Sequence, residues 1–249
     1  MSRTARNLLV PLLTLGSRGP ERVAPGVWRV KGNPGRLNVF FLEEADGGVT
    51  QFDAGGRVLL PLLRKALAVL GPVRRVVLSH AHTDHRGTAP FLGVPVLCHH
   101  DEVQDARGTG GMRYWGKGLP KLAPGPRLVH RHVLQPLYDG GPVAIAATVG
   151  EGELVAGFRV VHLPGHAPGL IALVREHDGL ALTSDAFYTV DDWWRDCPPY
   201  LPGAAWNWDT DMARASLERL AELDLSVAWP GHGEPIRDDV NAALRAAIR

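Results

Sequence analysis

The chain has 249 residues, of which 45% are hydrophobic, enough to bury a sizeable core. Its 27 basic residues nearly cancel its 26 acidic ones, which argues against a partner bound by general electrostatics, whether nucleic acid or an acidic membrane surface. Two cysteines, Cys98 and Cys197, are too few for a disulfide framework and suit a reducing cytoplasm; Cys98, in VPVLCHH, reads as a buried strand thiol.

The first residues, MSRTARNLLVPLLTLG, combine a basic start with a short apolar run. Pro11 interrupts that run and no convincing cleavage site follows, so secretion is not expected, and no stretch is long enough to span a membrane. Short β-rich runs come next: GVWRV (26–30), NVFFL (38–42) and VTQFD (49–53). Residues 57–71 read as a helix closed by Gly71 and Pro72, and 73–79 as a strand. PVLCHH (95–100) is another strand, leading into a short polar helix at 101–106. The Gly-, Pro- and Arg-rich text of 108–141 reads as a long loop or lid-like insertion. Strands resume at 143–149, 157–163, 169–176 and 179–185, and a second, Pro- and Trp-rich insertion covers 187–208. An amphipathic helix (211–223), a last strand and turn (225–233) and a closing helix (235–249) complete the chain. Two β-rich blocks, each followed by helices, predict one α/β domain over 1–249, with two sheets packed on each other and helices outside.

Chemistry concentrates in VLSHAHTDHRG (77–87), which packs three histidines and an aspartate into six positions at a strand end. In an extended chain, residues two apart project to one side about 6.6 Å apart, so His80 and His82 can lean toward one ion. Asp84 and His85 follow as the chain turns and can face a second point nearby. Further ligand-type residues recur at strand ends: His166 in HLPGHAPG, Asp185 closing LALTSD, and His232 in WPGHG. Seven candidates exceed the three or four ligands of a single zinc but suit two ions sharing a bridge.

With HAHTDH, His166 in PGHAPG, Asp185 in SDAF, His232 in PGHG and Asp53 in QFDAGG, the sequence resembles the metallo-β-lactamase superfamily from about Val23 to Ile236. The resemblance implies a four-layer αββα sandwich with metals at the edges of its sheets. It implies a first metal on His80, His82 and His166, a second on Asp84, His85 and His232, and Asp185 bridging. Asp53 would hold the His loop in place. Zinc is the expected metal, with iron and manganese as alternatives by ligand type. A water shared by two ions about 3.5–4 Å apart would be the nucleophile, with Asp84 orienting it and accepting its proton.

The stretch DAFYT resembles the D-x-x-Y-T of N-acyl-homoserine lactonases, which makes Tyr188 a candidate oxyanion donor beside the reading of a packing tyrosine. Lactone or carboxylic ester is therefore the expected substrate bond. A thioesterase like glyoxalase II is the alternative, although only 17 residues follow His232, too few for that family's glutathione-gripping helices, and Thr88 replaces the second glycine of HxHxDHxGG. A mononuclear iron persulfide dioxygenase is a second alternative, matching on His80, His166 and Asp185. A non-catalytic metal-binding module would be marked by lost ligands, and none is lost. Trp193, Trp194, Trp206 and Trp208 are candidate walls of a substrate pocket, with a satellite core or a homodimer contact as the competing reading. Arg113, Tyr114 and Trp115 raise the same question in the earlier insertion, and His99 and His100 stand out among the remaining histidines. The expected partner is a small-molecule substrate.

Overall fold

In the computed structural model, residues 16–33, 36–114, 121 and 124–248 are described. The N-terminal apolar run and Trp115 lie outside them. The first sheet has seven strands in sequence order: β1 (Arg18–Ala24), β2 (Val27–Gly32), β3 (Leu37–Glu43), β4 (Val49–Phe52), β5 (Val73–Val77), β6 (Val96–Cys98) and β7 (Ala147–Thr148). β1 to β4 pair antiparallel, and β4 to β7 run parallel. The second sheet is ordered β14 (Val227–Pro230), β11 (Leu180–Ser184), β10 (Ile171–Arg175), β9 (Phe158–His162) and β8 (Leu154–Val155), with β11 and β14 parallel.

The layering follows from strand periodicity. Along β3, Phe40 and Leu42, with Phe52 of β4, face the second sheet and pack with its Ile171, Leu173, Leu182 and Trp229. The alternate residues Val39 and Phe41 face outward onto helix α1 (Leu60–Leu70) through Leu59, Leu63 and Ala66. Both faces of β3 are therefore apolar, as LNVFFL requires. Beyond the second sheet, α6 (Thr210–Leu220) and α7 (Val240–Ala247) cover Val161, Ala172 and Ala181 with Leu217, Leu220 and Leu244. The result is the expected αββα sandwich. Gly71, at φ 99°, ends α1 in a conformation few other residues adopt.

Three local readings change. β1 was not anticipated, because RGPERVA has little strand character; it pairs only at the sheet edge through an irregular register, where Pro20 is tolerated. Within 108–141, the described residues include helical turns rather than a continuous loop: after α2 (Thr83–Arg86) and α3 (Val103–Arg107) come α4 (Pro124–Val129), a π-helical turn over His130–Leu134, and α5 (Gln135–Tyr138). Prolines at helix starts need no amide partner, so they do not forbid helix there. Residues 187–208 carry a hairpin, β12 (Tyr188–Val190) with β13 (Asp196–Tyr200).

Parallel pairing aims the chemistry. Asp53 and Ser79 follow the carboxyl ends of neighbouring β4 and β5; Asp185 and His232 follow those of neighbouring β11 and β14. The two sheets meet there, where the Asn38 side chain donates to the carbonyls of Pro230 and Gly233, both at 2.9 Å, and Ile171 donates to the Ser79 carbonyl at 2.9 Å. Ligand sites of open α/β sheets collect at such strand ends.

Candidate metal centre

Asp53 and Ser184 end their strands with left-handed backbone, at φ 61° and 50°, which non-glycine residues rarely adopt. Those turns bring a polar cluster together. Asp53 accepts from the Ser79 amide (2.7 Å) and hydroxyl (2.8 Å), from the Ser184 hydroxyl (3.2 Å), and from His85 Nδ1 (2.9 Å). The last bond places the His85 proton on Nδ1 and leaves the Nε2 lone pair for the site. His80 Nδ1 is likewise engaged by Ser79 Oγ at 2.9 Å, and His82 Nε2 lies 3.1 Å from the Tyr114 hydroxyl.

The inner atoms converge. Donor atoms of His80, His82 and His166 all lie within 4.8 Å of one another, and so do those of Asp84, His85 and His232. Asp185 spans the two groups: Oδ2 stands 3.3 Å from His166 Nε2 and 3.6 Å from His232 Nε2, while Oδ1 stands 3.3 Å from His85 Nε2. The seven residues singled out in the sequence thus meet at one place, with Asp53 directly behind His85. Gly231 makes room for Asp185, since a Cβ there would fall 2.0 Å from Asp185 Oδ1.

The donor set fits cations. Among the described residues, His80 Nε2, His85 Nε2 and Asp185 Oδ1 are buried without a hydrogen-bond partner, an arrangement costing about 1–3 kcal/mol per atom unless something binds them. His82 Nδ1 and His166 Nε2 face each other at 3.0 Å. Burial holds His80, His82 and His166 below the usual imidazole range, so they are neutral, as ligation requires. In the second group, burial pulls His232 down, but Asp185 and Asp84 override it and push it up to about 10; His85 is raised in the same way by Asp185 and Asp53. Burial raises the Asp84 and Asp185 carboxyls, and the neighbouring imidazoles outweigh it and keep both ionised. The carboxylates therefore demand positive charge at the centre, which divalent ions satisfy better than protons.

The candidate substrate groups fare differently. The Tyr188 hydroxyl donates to Asp185 Oδ2 at 2.8 Å, which places it beside the candidate centre as a partner of that carboxylate. The four tryptophans do not form one wall. Trp193 (74% exposed) and Trp194 occupy the turn of the β12–β13 hairpin, and Trp208 lines a separate groove with His100, Arg113, His162 and Met212. The Trp206 ring lies 5.4 Å from that of the buried His130, in the first insertion. Alternation is weak in this Pro-rich stretch, so the sequence could not show that a hairpin carries its first two tryptophans away. Cys98 is a free, fully buried strand thiol, pushed up to about 12 by burial.

Further residues support the centre, among them Arg113, Tyr114 and Thr88, which the sequence had already singled out, and Arg86 and Glu102, which it had not. Arg86, fully buried, donates to the carbonyls of Ala106 and Gly108 and pairs with Asp139, tying both ends of the first insertion to the His loop. Thr88, which stands where the motif has a second glycine, is buried and donates its hydroxyl to the Ala54 carbonyl. Arg113 grips Asp105 through two nitrogens, at 2.8 Å each, and so presents Tyr114 to His82. Glu102 is buried between two ligand-bearing turns; burial pushes its carboxyl up to about 7 while two amide bonds pull the other way. Ser79 and Ser184 also had a local cue, as small hydroxyl residues directly preceding His80 and Asp185, whereas Arg86 and Glu102 had none.

Comparison with known proteins agrees with this geometry. The family model of the metallo-beta-lactamase superfamily matches residues 32–232, and the chain belongs to that superfamily. It is an enzyme of the metallo-hydrolase type, with His/Asp clusters for metal ions. A probable metallo-hydrolase of Bacillus subtilis (strain 168), YqjP, is 26% identical over 216 residues, covering 80% of this chain and 67% of that protein. An N-acyl homoserine lactonase of a Bacillus species is 26% identical over 152 residues, covering 59% of this chain and 50% of the lactonase. A metallo-beta-lactamase family protein of Thermus thermophilus superposes with a TM-score of 0.65 at 28% identity, covering 91% of this chain and 79% of that one. No helix among the described residues is long and apolar enough to cross a membrane.

Proposed function

We propose that this enzyme hydrolyses an ester-like bond, a lactone or carboxylic ester ahead of a thioester, at a centre of two divalent cations. The observation that carries the reading is the Asp185 carboxylate, which stands within 3.3 Å of a histidine from each ligand group. His80, His82 and His166 would hold one ion, and Asp84, His85 and His232 the other. Zinc suits this mixed imidazole and carboxylate set. When bound, the ions supply water activation and carbonyl polarisation.

The chain's own residues supply the rest. Asp84 is the most open of the seven, with its side chain 22% exposed, and its neighbours keep it ionised. It is the group an incoming water and substrate meet first, and it can accept a proton from the water. Asp53 and Ser79 fix the ring orientations of His85 and His80, so no reorganisation is needed during reaction. Tyr188 holds Asp185. The preference for an oxygen ester rests on the likeness to the lactonase and on the shared D-x-x-Y-T stretch.

The test is metal analysis of protein purified without added metal, together with hydrolysis assays on lactones, aryl esters and S-lactoylglutathione. Two metal equivalents and turnover of a lactone or aryl ester are expected. One iron per chain with no hydrolysis of any of the three overturns the reading.

A further inference from the structure

Glu102 is fully buried, and no ion pair reaches it among the described residues. A carboxylate in that setting is costly unless both oxygens are satisfied. Here they are, and by two separate parts of the metal centre. Oε2 accepts from the amide of Ala81 at 2.7 Å, and Oε1 accepts from the amide of Gly169 at 2.8 Å. Ala81 lies between His80 and His82, and Gly169 lies three residues after His166. One side chain therefore joins the turn carrying two members of the first ligand group to the turn carrying the third.

The clasp is itself held from behind. The Glu102 amide donates to the His99 carbonyl at 3.0 Å, and the His99 ring stacks on His162 with centroids 4.0 Å apart. Gly169 fits against this turn without slack: a Cβ there would lie 2.9 Å from both Glu102 Cγ and His99 Nδ1.

We propose that Glu102 is a positioning residue that sets the spacing of the His80–His82 turn against the His166 turn, and thereby the bite of the first ligand group on its ion. The proposal rests on the two-cation reading above. Its chemistry is specific to a carboxylate. Two backbone N–H groups need two acceptors, and glutamine offers one oxygen while turning an NH2 group against the other donor. Aspartate is one methylene too short to span both turns.

The experiment compares wild type, Glu102→Gln, Gly169→Ala and the control Asp101→Asn, an exposed neighbour. Metal dissociation constants are measured by competition with a chromophoric chelator, and amide hydrogen exchange is followed at Ala81 and Gly169. Glu102→Gln should lower affinity for one of the two metal equivalents by about 10–100-fold, the usual effect of losing a partner behind a ligand. It should also free one of the two amides, Ala81 or Gly169, whichever meets the NH2 group, to exchange while strand amides stay protected. Gly169→Ala, which presses on the Glu102 and His99 side chains and wedges the turns apart while leaving the carboxylate chemically intact, should weaken the same equivalent; it decides the matter if Glu102→Gln does not fold. Asp101→Asn should match wild type. Unchanged affinity and unchanged protection in Glu102→Gln, or unchanged affinity in Gly169→Ala, overturns the proposal. If wild type binds fewer than two ions, the two-cation reading fails, and exchange at Ala81 and Gly169 still decides whether the clasp exists.

Discussion

Asp53 Oδ2 stands 2.9 Å from His85 Nδ1 while the same carboxylate takes both the amide and the hydroxyl of Ser79. One buried acid thus fixes the ring of one histidine and the serine that fixes another. Asn at this position keeps the size but loses an acceptor. Asp53→Asn is expected to lower metal affinity by about 10–100-fold, with the folded far-UV circular dichroism spectrum retained. Competition against a chelator measures it, and wild-type affinity would show that the serines alone suffice.

His82 contributes a ring nitrogen 3.0 Å from that of His166 and sits in a turn at the sheet edge, not in the apolar layers. His82→Ala should abolish hydrolysis with little change in thermal unfolding of the metal-free protein. Chelator treatment of wild type should do the same, reversibly on adding zinc. Activity that survives either treatment would mean that catalysis does not run through these histidines.

Tyr188 donates to Asp185 at 2.8 Å, which makes it a holder of the shared carboxylate. Tyr188→Phe should lower metal affinity by about 10-fold, and kcat along with it. The opposite pattern, intact metal binding with a kcat loss of about 100-fold or more, would return the hydroxyl to the oxyanion role suggested by the D-x-x-Y-T stretch.

Burial pushes both His99 and His130 down to about 4, from 6.5 for a solvated imidazole. Between those pH values the unfolded chain takes up protons that the native chain refuses. The associated stability is complete above pH 6.5 and is lost as pH falls toward 4, with a slope of up to about 1.4 kcal/mol per pH unit for each group. His99→Phe keeps a ring against His162 but carries no proton. Urea unfolding at several pH values should show a shallower acid-side loss for this variant than for wild type. Parallel curves would show that His99 titrates normally in the fold.

The residues gathered at the candidate centre were legible because they follow strand ends, in short motifs whose spacing is informative: HAHTDH, PGHAPG, SDAF and PGHG. The sandwich was legible from apolar runs such as LNVFFL, whose two buried faces require a layer on each side. The edge strand β1, the helical turns over 124–138 and the β12–β13 hairpin were not, since prolines and charged residues interrupt their text and obscure both periodicities.

By itself the sequence determined the chemical types gathered at the centre, their order along the chain and the layered architecture, because covalent spacing and alternating hydrophobicity are local properties. Tertiary structure alone decided which nitrogen of each histidine faces inward, that the Tyr188 proton belongs to Asp185, and that Trp193 and Trp194 turn outward. The histidine orientations depend on hydrogen bonds between residues as far apart as Asp53 and His85, or His82 and Tyr114, which no local pattern encodes.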